Sequence, residues 1–186
     1  MSNRKPIQKQ HERVVVADFL DWYNKINGTR FIVAAEPEPP EAVARYRDDY
    51  IWLEVADVFQ SDEYARDLYS FATSSETHKP MGPGPFMNMD EKFAQRFVSV
   101  LNAKLAKASY KPFYELYGPG ILLLAMHTPW FNETTMELIG SQYKAADWSG
   151  NLEFFGEVFI AFFSSDGRTF RKWQAVSSPS TPEASV

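Results

Sequence analysis

The sequence predicts an α/β fold of the mixed α+β kind, with helices flanking a central mixed β-sheet. Three features predict it. Apolar side chains recur at helical spacing over residues 8–26, residues 50–56 alternate between two faces, and residues 120–127 form a continuous apolar run. Because that run follows a long predicted helix at 88–110, the order fits a β-α-β unit whose strands are parallel and buried.

One domain is expected over residues 1–176, since 186 residues with 45% hydrophobic and 16% aromatic content supply a single sizeable core. Residues 177–186 are low in hydrophobicity and are expected to form a disordered tail. The absence of cysteine excludes disulfides, thiolate metal sites and thiol nucleophiles.

The first predicted helix covers residues 8–26 and ends at Asn27 and Gly28. Glu12 lies near the middle of its apolar stripe, which leaves two interpretations. Either the helix dipole stabilises a carboxylate in the first turn, or the carboxylate points toward a functional site. A first strand is expected over residues 30–35.

A hairpin is predicted next, with residues 41–46 pairing with residues 50–56 across a two-residue turn. This register places Glu41 directly opposite Glu54. Like charges so placed are destabilising unless a positive charge lies between them. One interpretation is therefore a divalent cation held by the two glutamates, and the other is an exposed edge hairpin with two solvated glutamates.

Residues 61–73 are expected to form a helix with Ser61 as its N-cap, and residues 74–85 a loop rich in structure-breaking residues. The predicted helix at 88–110 is the longest in the chain. Lys104 projects almost centrally into its apolar stripe. The lysine either extends its stem across apolar surface to solvent or pairs with a buried carboxylate.

The remaining elements are a buried strand at 120–127, a helix at 133–144, and a closing hairpin formed by residues 153–163 and 169–173. Together they complete the sheet and its helical layers.

The first ten residues contain no apolar segment, and the longest apolar run, 121–126, is far shorter than the roughly 20 residues of a membrane span. A cytoplasmic protein without a membrane partner is therefore expected. The net charge of −5 disfavours a charge-driven coat on nucleic acid, although it permits an enzyme that acts on nucleic acid.

The order of elements resembles the PD-(D/E)XK, or restriction-endonuclease-like, nuclease superfamily. Pro40 and Glu41 take the place of its Pro-Asp pair, and Glu54 takes the place of the second acid in an apolar strand. The sequence departs from the pattern at two positions, because Glu41 replaces aspartate and Ala56 occupies the usual lysine position. Residues 101–110 resemble branches that carry this lysine on a later helix.

The resemblance implies a restriction-endonuclease-like fold and hydrolysis of phosphodiester bonds in nucleic acid, DNA rather than RNA. Glu41 and Glu54 would hold Mg²⁺ or Mn²⁺, whose preferred ligands are oxygen atoms. Glu12 would complete or orient the metal's ligand shell. Lys104, with Lys107 as the alternative, would position the attacking water or offset charge in the transition state.

Two other hypotheses remain. The missing lysine at Ala56 is compatible with a catalytically degenerate nuclease-fold domain that serves in binding or assembly, and a homodimer is one assembly to consider. The third hypothesis is an unrelated α+β protein with an aromatic partner interface. Its tryptophans would be Trp22, Trp52, Trp130, Trp148 and Trp173.

Overall fold

A six-stranded mixed β-sheet with helices on both faces forms the framework of the protein. The structure is a computed structural model that describes residues 4–73, 77–82, 87–128, 130–146, 154–165 and 167–173. The strands are β1 (Ile32–Ala35), β2 (Ala42–Tyr46), β3 (Asp49–Phe59), β4 (Gly120–His127), β5 (Phe155–Ser164) and β6 (Gly167–Lys172). The helices are α1 (Arg4–Asn27), α2 (Asp62–Ala72), α3 (Met89–Leu105), α4 (Lys111–Tyr117) and α5 (Glu133–Ala145). The predicted mixed fold class is confirmed.

The strands lie side by side in chain order. The first three form an antiparallel meander, β3, β4 and β5 are parallel, and β6 returns antiparallel to β5. A parallel pair needs a long crossover connection, which the chain between β3 and β4 provides with its helices. This crossover carries α3 past the part of β3 that contains Glu54.

Each face of the sheet has its own apolar core. On one face, α3 packs over β3 with α5 beside it, and the apolar core there includes Trp52, which is fully buried. On the other face, α1 contributes Val15 and Phe19 and packs over Leu53 and Val55. Consecutive residues of β3 therefore serve opposite cores, as strand geometry requires.

The register of the predicted hairpin is confirmed. Tyr46 pairs with Asp49, and Ala42 pairs with Leu53 at the end of the ladder. Glu41 lies one residue before the first residue of β2, so continuation of the register sets it against Glu54. A two-residue turn leaves little freedom for any other pairing.

The long helix predicted at 88–110 is wrong in its extent, since α3 ends at Leu105 and a 3₁₀ turn follows at Ala108–Tyr110. The longest helix of the described residues is α1, with 24 residues. The seven-residue helix α4 was not predicted, because so short a segment shows no clear helical period.

The hypothesis of an aromatic surface is wrong for two of its tryptophans, because Trp52 and Trp173 are buried. Trp148 and the predicted tail at 177–186 lie outside the described residues. Within the described part of the chain, no helix is both long enough and apolar enough to cross a membrane.

The close approach between Trp52 and β4 leads to a stability prediction. A Cβ atom at Gly120 would lie 2.3 Å from Cε2 of Trp52. Gly120→Ala should therefore lower the free energy of unfolding by about 1–3 kcal/mol through overpacking.

Gly140→Ala is the matched control, because no atom lies within 4 Å of its added Cβ and alanine favours the helix. Urea unfolding followed by tryptophan fluorescence measures both variants, and equal effects would contradict the packing described for Trp52.

Candidate functional site

A cavity of about 640 Å³ lies where the chain enters β2. Helix α1, the segment before β2, strand β3 and the end of α3 all contribute to its wall. The four residues predicted from the sequence all line it: Glu12, Glu41, Glu54 and Lys104.

Glu41 lies at the point where the ladder between β2 and β3 ends. Its Oε2 atom accepts a hydrogen bond of 2.9 Å from the backbone N–H of Val55. Because the last β2 pairing is at Leu53, this N–H has no β2 carbonyl opposite it. The half-buried side chain of Glu41 thus replaces a strand partner, and this contact fixes its carboxylate beside Glu54.

Glu54 is buried, with 1% of its side chain exposed. Its Oε1 atom accepts hydrogen bonds from the Lys104 ammonium and, at 2.6 Å, from the Tyr110 hydroxyl. Lys104 also donates to the backbone carbonyl of Val55 at 2.8 Å. The lysine therefore pairs with a carboxylate, and the alternative in which it extends to solvent is wrong.

The second oxygen of Glu54 distinguishes this cluster from an ordinary ion pair. Oε2 is buried and has no hydrogen-bond partner among the described residues while Glu41 and Glu54 are both ionised. A buried acceptor without a partner costs about 1–3 kcal/mol. Carboxylate oxygens are the preferred ligands of Mg²⁺ and Mn²⁺, so the residues present fit a divalent cation at this position.

The two glutamates titrate as a pair. Burial raises the pKa of Glu41 to about 9, and the hydrogen bond and negative charge of Glu54 add to the rise. Burial also acts to raise the pKa of Glu54, but the hydrogen bond with Glu41 and the charge of Lys104 lower it below its usual value. Without a metal, the raised pKa of Glu41 thus favours one proton on the pair near neutral pH.

Glu12 reaches the same cavity from the other side of the sheet edge. Because α1 begins at Arg4, Glu12 lies more than two turns inside the helix. The interpretation in which the helix dipole stabilises a first-turn carboxylate is therefore wrong. The side chain is half-buried, accepts a hydrogen bond of 2.9 Å from Gln8, and has a pKa that burial raises.

A second polar cluster was not predicted. The imidazole Nε2 atoms of His11 and His127 lie 3.0 and 2.8 Å from Oδ1 of Asp57. Burial acts to raise the pKa of Asp57, but the close contacts and charges of the two histidines hold it well below its usual range. The three residues come from α1, β3 and β4, and no sequence spacing connects them.

Comparison with protein-family models, with curated proteins and with solved structures finds no match to this chain. A functional assignment therefore depends on the geometry of the cavity and its side chains.

The raised pKa of Glu41 predicts a pH-dependent stability. An ordinary glutamate has a pKa near 4.3, so the unfolded chain loses this proton well before the folded protein does. The contribution of Glu41 is fully present below about pH 4 and is lost as the pH rises toward its folded pKa of about 9. Glu41→Gln removes the titrating proton and should be more stable than the wild type by several kcal/mol, up to about 5, at pH 8.5, with little difference at pH 4.5.

Urea unfolding in EDTA across this pH range measures the difference. Glu91→Gln, on the exposed side of α3, controls for the removal of one negative charge. A Glu41→Gln difference that stays constant or shrinks with rising pH would contradict the proton assignment.

Proposed function

We propose that the protein is a metal-dependent nuclease that hydrolyses phosphodiester bonds, with a restriction-endonuclease-like fold. The observation that carries the proposal is the convergence of Glu41, Glu54 and Lys104 on one cavity, where two carboxyl groups lie against each other beside one ammonium group. Two acids and a lysine in contact are the groups that this class of phosphodiester hydrolysis needs.

The order of the elements supports the fold part of the proposal. A helix precedes an antiparallel meander, a helical crossover follows, and β4 then lies parallel to β3. One acid lies on β3 and the other immediately before the adjacent strand β2, an arrangement similar to that of the nuclease superfamily that the sequence resembles.

The contact between Lys104 and Glu54 supports a lysine that reaches the site from a helix in place of the motif lysine. Ala56 occupies the usual position and is buried in the core beneath α3. Lys104 comes from the last turn of α3 and donates to the carboxylate of Glu54, two residues before Ala56. A helix lysine thus delivers its ammonium to the second acid, which argues against loss of catalysis through the alanine.

Glu41 and Glu54 would hold Mg²⁺ or Mn²⁺, and Glu12 would complete or orient the ligand shell. When bound, such an ion polarises a phosphoryl oxygen and activates water. Glu41 would release its proton on metal binding, because only the ionised carboxylate is a good ligand. Lys104 would stabilise the negative charge that develops on the phosphate group in the transition state.

Positive side chains near the cavity support a phosphate-containing substrate. Lys9 and Lys107 line the cavity together with Lys104. Arg45 projects from the same face of β2 as Glu41, about 13 Å farther along the strand. These cations suit a nucleic-acid backbone that extends past the carboxylates, and DNA is the substrate we propose.

The test is cleavage of double-stranded DNA, single-stranded DNA and RNA in Mn²⁺, in Mg²⁺ and in EDTA. The wild type should cleave DNA only with metal. Glu54→Gln and Lys104→Met should each lower the rate at least about 100-fold, since each removes a charge that acts on the reacting phosphate. Lys92→Met is the matched control, because this lysine is exposed on the same helix and does not line the cavity, and it should retain most of the rate.

Equal cleavage by the wild type and Glu54→Gln would contradict the proposal and indicate a contaminating nuclease. No cleavage by the wild type, together with metal-dependent DNA binding that Glu54→Gln loses, would favour the degenerate binding domain instead.

A further inference from the structure

The cluster of His11, Asp57 and His127 joins three separate elements on the α1 face of the sheet. Its potential ligand atoms all lie within 4.8 Å of one another. Both imidazoles present Nε2 to the same carboxylate oxygen, at 3.0 Å from His11 and 2.8 Å from His127. Two nitrogen atoms and one oxygen atom therefore converge on a single point in the fold.

Hydrogen bonding alone does not satisfy this cluster. His127 forms a hydrogen bond with Asp57, whose side chain is only 8% exposed. Nε2 of His11 is also buried, yet its 3.0 Å contact with Asp57 is not aligned as a hydrogen bond, and it has no hydrogen-bond partner among the described residues. The ring nitrogen lies close to a carboxylate oxygen without the alignment of a hydrogen bond. This arrangement is typical of two ligand atoms that bind the same metal ion.

We propose that His11, Asp57 and His127 bind one divalent transition-metal ion of the Zn²⁺ class. Zn²⁺ binds imidazole nitrogen and carboxylate oxygen at about 2.0–2.2 Å, so ligand atoms at one tetrahedral ion lie about 3.4 Å apart. The two His–Asp separations are slightly shorter, so a small outward shift of the side chains would make room for the ion. Two imidazoles and one carboxylate form a donor set typical of zinc and iron rather than of magnesium, which prefers oxygen ligands.

Neighbouring side chains hold the ligands in place. The Tyr69 hydroxyl donates to Oδ2 of Asp57 at 3.4 Å, which leaves Oδ1 directed at the histidines. The Phe59 ring stacks on His127, with their centroids 4.4 Å apart. Supporting contacts of this kind orient the residues that ligate metals.

This site is separate from the carboxylate cavity. Asp57 lies three residues beyond Glu54 on β3, about 10 Å along the strand, and its side chain belongs to the opposite face of the sheet. Paired catalytic metals lie about 4 Å apart, so the two sites do not form such a pair. His11 immediately precedes Glu12. An ion bound by His11, Asp57 and His127 would connect α1 to β3 and β4 and so help to position Glu12 in the cavity.

The test is binding of Zn²⁺ and Co²⁺ to the metal-stripped full-length protein, measured by calorimetry and by the visible absorption of Co²⁺. In excess Mg²⁺, which occupies the carboxylate cavity, the wild type should bind one equivalent and gain thermal stability with Zn²⁺. His11→Ala and His127→Ala should each weaken binding at least about 100-fold, because loss of even a supporting residue costs 10 to 100-fold. His11 lies on a helix, where alanine is tolerated, so that variant remains informative if His127→Ala is poorly folded.

Two control variants distinguish this site from a single surface histidine and from the carboxylate cavity. His78→Ala changes a histidine that pairs with Asp67 at 2.7 Å without a second histidine, and it should bind Co²⁺ as the wild type does. Glu54→Gln should also retain the Co²⁺ spectrum, so the outcome is independent of nuclease activity. Absence of one-equivalent binding by the wild type, or binding that His11→Ala leaves unchanged, would overturn the proposal and leave the cluster as a buried ion-pair network.

Discussion

The buried ion pair between Lys104 and Glu54 is the interaction on which the candidate site depends. A carboxylate taken out of water is costly by several kcal/mol unless it is paired and hydrogen-bonded. Lys104 supplies the pairing, and Tyr110 supplies a second hydrogen bond to the same oxygen. Because Lys104 lies in the last turn of α3, the ion pair connects the end of that helix with the middle of β3.

The ion pair and the neighbouring Glu41 explain why the pairing of β2 with β3 can end at Leu53. Beyond Leu53, β2 no longer pairs with β3, and the backbone groups of Val55 need other partners. Its N–H bonds to Glu41 and its carbonyl bonds to Lys104. The side chains that form the carboxylate cavity therefore also provide hydrogen-bond partners for the backbone of β3 beyond the end of β2. Loss of these side chains would destabilise the sheet as well as the site.

Local patterns are enough to predict much of this arrangement. The two-residue turn sets the hairpin register, and that register by itself puts Glu41 against Glu54. Helical spacing identifies the face of α3 that carries Lys104. Local patterns do not predict contacts between segments that are distant in the sequence. Tyr110 reaches Glu54 only because the helix ends early, and His11 meets His127 only after the sheet has formed.

The central claim is that Glu41 and Glu54 hold a divalent cation beside Lys104. Anomalous diffraction from crystals grown with Mn²⁺ tests it most directly, because the ion is located without reference to activity. A cation held by the two glutamates should give an anomalous peak at about 2.1 Å from a carboxylate oxygen of both Glu41 and Glu54, with Lys104 still in contact with Glu54. Full occupancy of Mn²⁺ elsewhere, with Glu41 and Glu54 bound only to protein groups, would contradict it.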